Sequence, residues 1–107
     1  MAEDRSGQTA VMFISERTGD DPEGYAEAAA RMDALAAQQP GYLGVDHVGD
    51  PNGHAITISY WADPWSARDW RSNEEHRQAR NAGRGRWYKS YMLHVAEIGR
   101  SYSWERP

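Results

Sequence analysis

The segment Tyr42–Trp65, YLGVDHVGDPNGHAITISYWADPW, reads as a strand, a tight turn, a second strand and the start of a helix. Asn52-Gly53 is a hairpin signal, because the central positions of a two-residue turn need positive φ, which Gly and Asn adopt at the least cost. In the return strand Ile56, Ile58 and Tyr60 fall on one face, and Ala55, Thr57, Ser59 and Trp61 on the other. The second face is smaller and more polar. That pattern is expected where a strand lines a pocket or a subunit contact and not a packed core. Asp63 as N-cap and Pro64 at the first helical position then open a helix directly after the strand.

Upstream, TAVMFISER (9–17) is apolar on both faces for most of its length, as in a strand covered on both sides. Residues 18–41, TGDDPEGYAEAAARMDALAAQQPG, carry a helix grammar: Asp20 or Asp21 as N-cap, Pro22 in the first turn, Glu23 at the positive dipole end, and Gly41 closing after Pro40. Tyr25, Ala28, Ala29, Met32, Leu35 and Ala36 recur at three-and-four spacing and form the stripe that packs on a sheet. Residues 1–8 are small and polar and read as a flexible N-terminal leader, leaving 9–107 as a single domain.

Downstream, Ser72 and Glu75 fit a capping box, so a helix restarts at Asn73 and runs to about Gly83 or Gly85, which close it. The aromatic and β-branched segment WYKSYMLHVAEIGRSYSW (87–104) reads as a fourth strand. The order β-α-β-β-α-β is the ferredoxin-like α+β arrangement, an antiparallel four-stranded sheet with its helices on one face. The uncovered face needs a partner, and a homodimer with facing sheets, a dimeric α/β barrel, is the expected solution.

With 107 residues and no cysteine, the chain has no disulfide, thiolate nucleophile or cysteine-held metal. The net charge is −4, yet Arg68–Lys89 holds seven basic residues against three acidic ones. This local excess suits an anionic or phenolate-like ligand, or else is a solvated helix face. The acidic balance elsewhere, and aromatics at element boundaries, speak against nucleic acid. No apolar run approaches the roughly 18 residues of a membrane span, and the first ten residues hold no apolar targeting core. A cytoplasmic protein without membrane contact is expected. The four histidines, His47, His54, His76 and His94, lack helical pairing or HxH spacing, so no metal site is expected.

The run SYWADPWSARDWRSNEEHRQARNAGRGRWYKSYMLHVAEIGRSYSW (59–104) carries a resemblance. Its strand-end Tyr60-Trp61, its Trp70–Tyr88 helix and its closing aromatic strand resemble the antibiotic biosynthesis monooxygenase family of small dimeric α/β barrels, over residues 9–104. That family spans cofactor-independent oxygenases of aromatic polyketides, quinol oxygenases and haem-degrading enzymes. Its anthrone-oxidising branch implies Asn, Trp, Tyr and Arg around a planar phenol, with no metal or flavin. Trp70 matches the Trp, His76 stands about where the Tyr is expected, and Asn73 and Arg80 are candidates by chemistry. The haem-degrading branch implies a strand Asn, a Trp and a His ten residues later. Trp70 again fits, but Arg80 stands at the His position and the first strand ends Ser15-Glu16-Arg17. The resemblance therefore implies a cofactor-free oxidation of a small phenol, hydroquinone or anthrone-like aromatic by O2. Haem binding or degradation is the alternative, and a non-catalytic dimeric ligand-binding domain a further one.

Cofactor-free oxygenation needs a base to make an electron-rich phenolate or enolate, a task suited to histidine. His76, one turn into its helix, lies near the positive dipole end, which favours the neutral imidazole. Arg80, four residues on, is placed to stabilise the phenolate and a peroxide oxyanion. Trp70 and Trp61 supply planar walls. Asn73, Tyr88 and His94 complete the expected substrate-binding set; His94 shares one strand face with Met92 and Ala96, where a histidine is usually a core or interface residue but, facing a barrel cavity, could be a base or ligand.

Overall fold

The computed structural model describes residues 4–107. Its elements are β1 (Thr9–Arg17), α1 (Pro22–Ala36), β2 (Tyr42–Gly49), β3 (His54–Trp61), α2 (Pro64–Ser72), α3 (Glu74–Ala82), a π-helical turn at Gly83–Trp87 and β4 (Tyr88–Glu97). The strands form one antiparallel sheet in the order β2-β3-β1-β4. This is the ferredoxin-like α+β topology, with the second helical segment split in two. Among the described residues no helix is long and apolar enough to cross a membrane.

Local chemistry accounts for most element boundaries. The Asp50 carboxylate accepts from the amides of Asn52 (2.9 Å) and His54 (3.0 Å), while Gly53 takes φ +92° to turn the chain into β3. Asp63 accepts from the Ser66 amide at 2.8 Å and Asp21 from the Gly24 amide at 3.2 Å, each satisfying a donor that the helix start leaves open.

Register settles which residues share a face. The cross-strand rows His47–Thr57–Phe13–Leu93 and Val45–Ser59–Val11–Val95 lie on the helix side. The alternate rows Asp46–Ile58–Met12–His94 and Val48–Ile56–Ile14–Met92 lie on the open side. Ile14, Val48, Ile56 and Met92 are exposed there, Val48 at 73% and Met92 at 58%.

The buried cluster is Ala36, Trp61, Ala67 and Trp70, with Val11, Met32, Leu35 and Tyr42 packed against it. Trp61 has no exposure, and its indole N–H donates to Ser59 Oγ at 2.9 Å, so burial leaves no unpaired polar atom on it.

Four boundaries differ from expectation. Helix α1 ends at Ala36 and not near Gly41. Gln39 precedes Pro40, whose ring disfavours helical geometry at that residue, and the chain tightens through Gln38 N–H to Leu35 O and Gln39 N–H to Ala36 O. Helix α3 is capped by Asn73, not Ser72: Asn73 has ψ 130° and its Oδ1 accepts from the His76 amide at 3.2 Å, while Ser72 is the last residue of α2. The Glu75 side chain of the expected box lies outside the described residues. Gly83 and Gly85 fall within the π-helical turn instead of capping α3. Strand β4 ends at Glu97, opposite Thr9, where β1 begins and ladder partners run out, so Tyr102 and Trp104 stand exposed beyond it.

Ahead of β1, the Arg5 guanidinium lies 3.8 Å over the Tyr60 ring, and the Gly7 amide donates to Ile98 O at 2.7 Å. Residues 5–7 are therefore tied to the sheet.

Candidate active site

Between the sheet and the helices lies a cavity of about 370 Å3, within the range of small-molecule pockets. It exists because its walls are built from small residues. Ala28 and Ala29 of α1 face Thr57 and Ser59 of β3, and none of these side chains is long enough to fill the gap. Val11 and Phe13 form the middle of the floor. The far end is aromatic: Tyr88 packs edge-on against Phe13 (5.4 Å) and Tyr25 (6.0 Å), and Tyr91 lies 5.1 Å from Phe13.

The helical wall carries the chemistry. Extended backbone at Asn73 breaks the path from α2 to α3, and the new helix brings His76 back over Trp70. The two rings stack at 4.2 Å with 11° between their planes. Nδ1 of His76 is 3.0 Å from the Trp70 carbonyl oxygen. A carbonyl oxygen only accepts, so Nδ1 carries the hydrogen and Nε2 holds the lone pair of a neutral imidazole. Burial is the main cause that holds His76 below the ordinary histidine range, and the charges of Arg80 and Arg71 add to it; the bond to the Trp70 carbonyl pulls the other way.

Arg80 donates through Nη1 to the Arg71 carbonyl at 3.2 Å, while its buried Nε has no hydrogen-bond partner. Burial, and then the nearby guanidinium groups of Arg71 and Arg84, lower its pKa from the ordinary arginine value, but the group stays charged at neutral pH. A buried charged donor without a partner is costly, and an anion would relieve it. Tyr88 is pushed far above the ordinary tyrosine range, first by burial and then by neighbouring Tyr25, so it acts as a neutral hydrogen-bonding group and not as a phenolate. Arg84 Nε donates to the Tyr91 hydroxyl.

Of the expected site residues, Trp70, His76, Arg80 and Tyr88 line this cavity. Trp61 does not: it is buried in the core cluster, stacked with Trp70 at 6.1 Å, and supports that ring from within the protein. Because Trp70 stacks with both Trp61 and His76, it works as a platform for the imidazole more than as a bare substrate wall. Asn73 acts through its cap on α3 and not from the cavity wall. His94 lies on the opposite face of the sheet, because it pairs with Met12, whose neighbours Val11 and Phe13 point into the cavity.

His47, which had no place in the expected site, also lines the cavity, with Nδ1 2.7 Å from Thr57 Oγ1. Its signal was the hairpin register, which sets it opposite Thr57 on the small polar face of β3. Tyr25, expected in the packing stripe of α1, lines the cavity as well, as do Asp33 and Tyr91.

The fold and this cavity place the chain in a defined class. It belongs to the antibiotic biosynthesis monooxygenase family, whose model matches residues 8–82, from the edge of β1 to the end of α3. It is similar to the uncharacterized protein YqjZ of Bacillus subtilis, 45% identical over 91 residues that cover 85% of this chain and 79% of that protein. Among solved structures it is similar to Rv0793 from Mycobacterium tuberculosis, with a TM-score of 0.77 at 11% identity over 90% of this chain and 99% of the other. It is also similar to a mutant of SnoaB, a cofactor-independent oxygenase from Streptomyces nogalater, with a TM-score of 0.71 at 17% identity over 94% and 97% of the two chains.

Proposed function

We propose that this protein is a cofactor-independent monooxygenase that oxidises a small phenol, hydroquinone or anthrone-like aromatic with O2 in the cavity between sheet and helices. The observation that carries this reading is His76: a neutral imidazole with a free Nε2 lone pair, stacked on Trp70 and four residues from Arg80, whose buried Nε has no hydrogen-bond partner. SnoaB, described as a cofactor-independent oxygenase, lends support through the shared fold.

In this reading Nε2 of His76 removes the hydroxyl or enolic proton, and the resulting anion passes an electron to O2. Recombination forms a carbon–oxygen bond, and Arg80 stabilises first the phenolate and then the peroxide oxyanion. Protonated His76 returns its proton to the outer oxygen. The O–O bond then breaks, a substrate C–H is lost, one oxygen stays as a carbonyl and the other leaves as water. Two hydrogens and four electrons leave the substrate, so no external reductant is needed.

Oxygen uptake with a panel of anthrones, hydroquinones and naphthols tests this. One O2 should disappear per product formed, and the product should gain one oxygen atom and lose two hydrogens. Binding without uptake would favour a non-catalytic ligand-binding domain instead. Haem is the competing cofactor; Arg80 occupies the position where the haem-degrading branch would put its ligating histidine. A stoichiometric Soret shift on adding haemin would overturn the preference for an organic substrate.

The same reading includes a homodimer that covers the open sheet face. An isologous contact there would bury Ile14, Val48, Ile56 and Met92 against their symmetry mates. Light scattering should give twice the chain mass of 12.1 kDa, and Val48→Asp should shift the protein to monomer. A wild-type monomer at micromolar concentration would contradict it.

A further inference from the structure

We infer that His47, held by Thr57 at the mouth of the cavity, is a specificity-determining residue that binds a second hydroxyl on the substrate. The preferred substrate class is then an aromatic diol, with one hydroxyl reaching His76 and another held at the entrance. This deepens the oxygenase reading and rests on it for the role of His76.

The mouth of the cavity lies beside β2. Most residues around the cavity are buried or half-buried, but Asp33 of α1, Val45 and His47 of β2, and Arg71 of α2 are exposed. β2 is an edge strand, so no further strand closes that side, and the opening falls between it and the helices. His47 stands on its sheet side. His76 belongs to the helical wall, and the body of the cavity between them is apolar and aromatic, with Val11, Phe13 and Met32 among its surfaces.

The orientation of His47 is set by its cross-strand neighbour. This histidine pairs directly with Thr57 on the neighbouring strand, and Thr57 Oγ1 lies 2.7 Å from Nδ1. That bond occupies one ring nitrogen and limits rotation of the imidazole, leaving Nε2 for a ligand. Where the threonine donates, Nε2 carries a hydrogen and donates; where Nδ1 donates, Nε2 accepts. A hydroxyl both donates and accepts, so it pairs with either tautomer, whereas a carbonyl or ether oxygen pairs with only one. The arrangement therefore accommodates a hydroxyl in either state of the Thr57 bond. Asp33 and Arg71 border the same opening, but neither shares the fixed geometry that the Thr57 bond gives His47.

Equilibrium binding without oxygen isolates this role from turnover. The probes are 1,4-dihydroxynaphthalene and 1-naphthol, followed by quenching of tryptophan fluorescence under anaerobic conditions. The wild type should bind the diol about threefold to tenfold more tightly than the mono-ol, the scale of one net hydrogen bond. His47→Leu should abolish that preference, with 1-naphthol binding unchanged and the melting temperature preserved, while His47→Gln, which keeps a donor and an acceptor, should restore part of it. A preference that survives in His47→Leu, an equal loss for both ligands, or no binding of either ligand by the wild type would overturn the assignment. The oxygenase reading fails separately: diol preference lost in His47→Leu but no oxygen uptake by the wild type would reject turnover and keep the binding role.

Discussion

Replacement of His76 by alanine is expected to lower kcat/KM by about 10^2- to 10^4-fold, the usual contribution of a positioned general base. The expectation follows from how the side chain is held. Its Nδ1 hydrogen is committed to the Trp70 carbonyl, and its ring is fixed against the Trp70 indole, so a single lone pair is presented with little rotational freedom. The pH dependence separates this role from a structural one. Burial, with Arg80 and Arg71, sets the pKa below 6.5, so the base stays deprotonated through neutral pH and the acid limb of kcat/KM should fall below that ordinary value. In His76→Ala the residual rate should lose that limb. An acid limb identical in wild type and variant would reject His76 as the base.

Stability should follow the same titration, rising with pH. The unfolded state binds a proton at His76 near the ordinary value of 6.5, while the folded state binds it only at lower pH. Between those two values the unfolded state holds more protons, so stability rises with pH there. The contribution is complete above 6.5 and is lost as pH falls toward the folded-state value. Thermal melts of His76→Ala should lack this component.

How far the sequence disclosed these features depends on whether the deciding interaction is local. The Asn52-Gly53 turn, the Asp63-Pro64 helix start and the small polar face of β3 rest on neighbouring residues, and all of them were legible. Thr57 and Ser59 even marked the cavity side of the sheet. The sheet faces on which His94 and His47 stand were not legible, for one shared reason. In a strand a shift of one residue moves every side chain to the other face, and only long-range pairing with β1 and β3 settles that choice. Trp61 lies on the cavity side of its strand, as the alternation predicts, but Trp70 of a different element covers it, and no periodicity within β3 reveals a cover. Ser72 and Asn73 are comparable caps by residue type, so the choice between them came from backbone geometry at Asn73.

The buried Trp61 leads to the second large effect. Trp61→Ala should destabilise the fold by about 3–5 kcal/mol, the cost of removing a large aromatic side chain from a packed core. For a domain whose total stability is about 5–15 kcal/mol that is a substantial fraction, and it corresponds to a fall of about 15 °C or more in Tm. The open cavity is why so much rests on one residue. The alanines of α1 and the small side chains of β3 enclose space instead of filling it, so Trp61, with no exposure at all, is the largest fully buried side chain and joins β3 to α1 and α2 through Ala36, Ala67 and Trp70. The effect should reach the site as well. Trp61 stacks with Trp70, and Trp70 carries His76, so the chain of ring contacts runs from the core to the base. Trp61→Phe keeps an aromatic surface and should fold with a smaller loss of Tm. Because it loosens the platform, it should lower kcat more than it raises KM. Calorimetry and steady-state kinetics on the two variants check both parts: a small Tm change in Trp61→Ala would reject the core assignment, and an unchanged kcat in a folded Trp61→Phe would reject the coupling to His76.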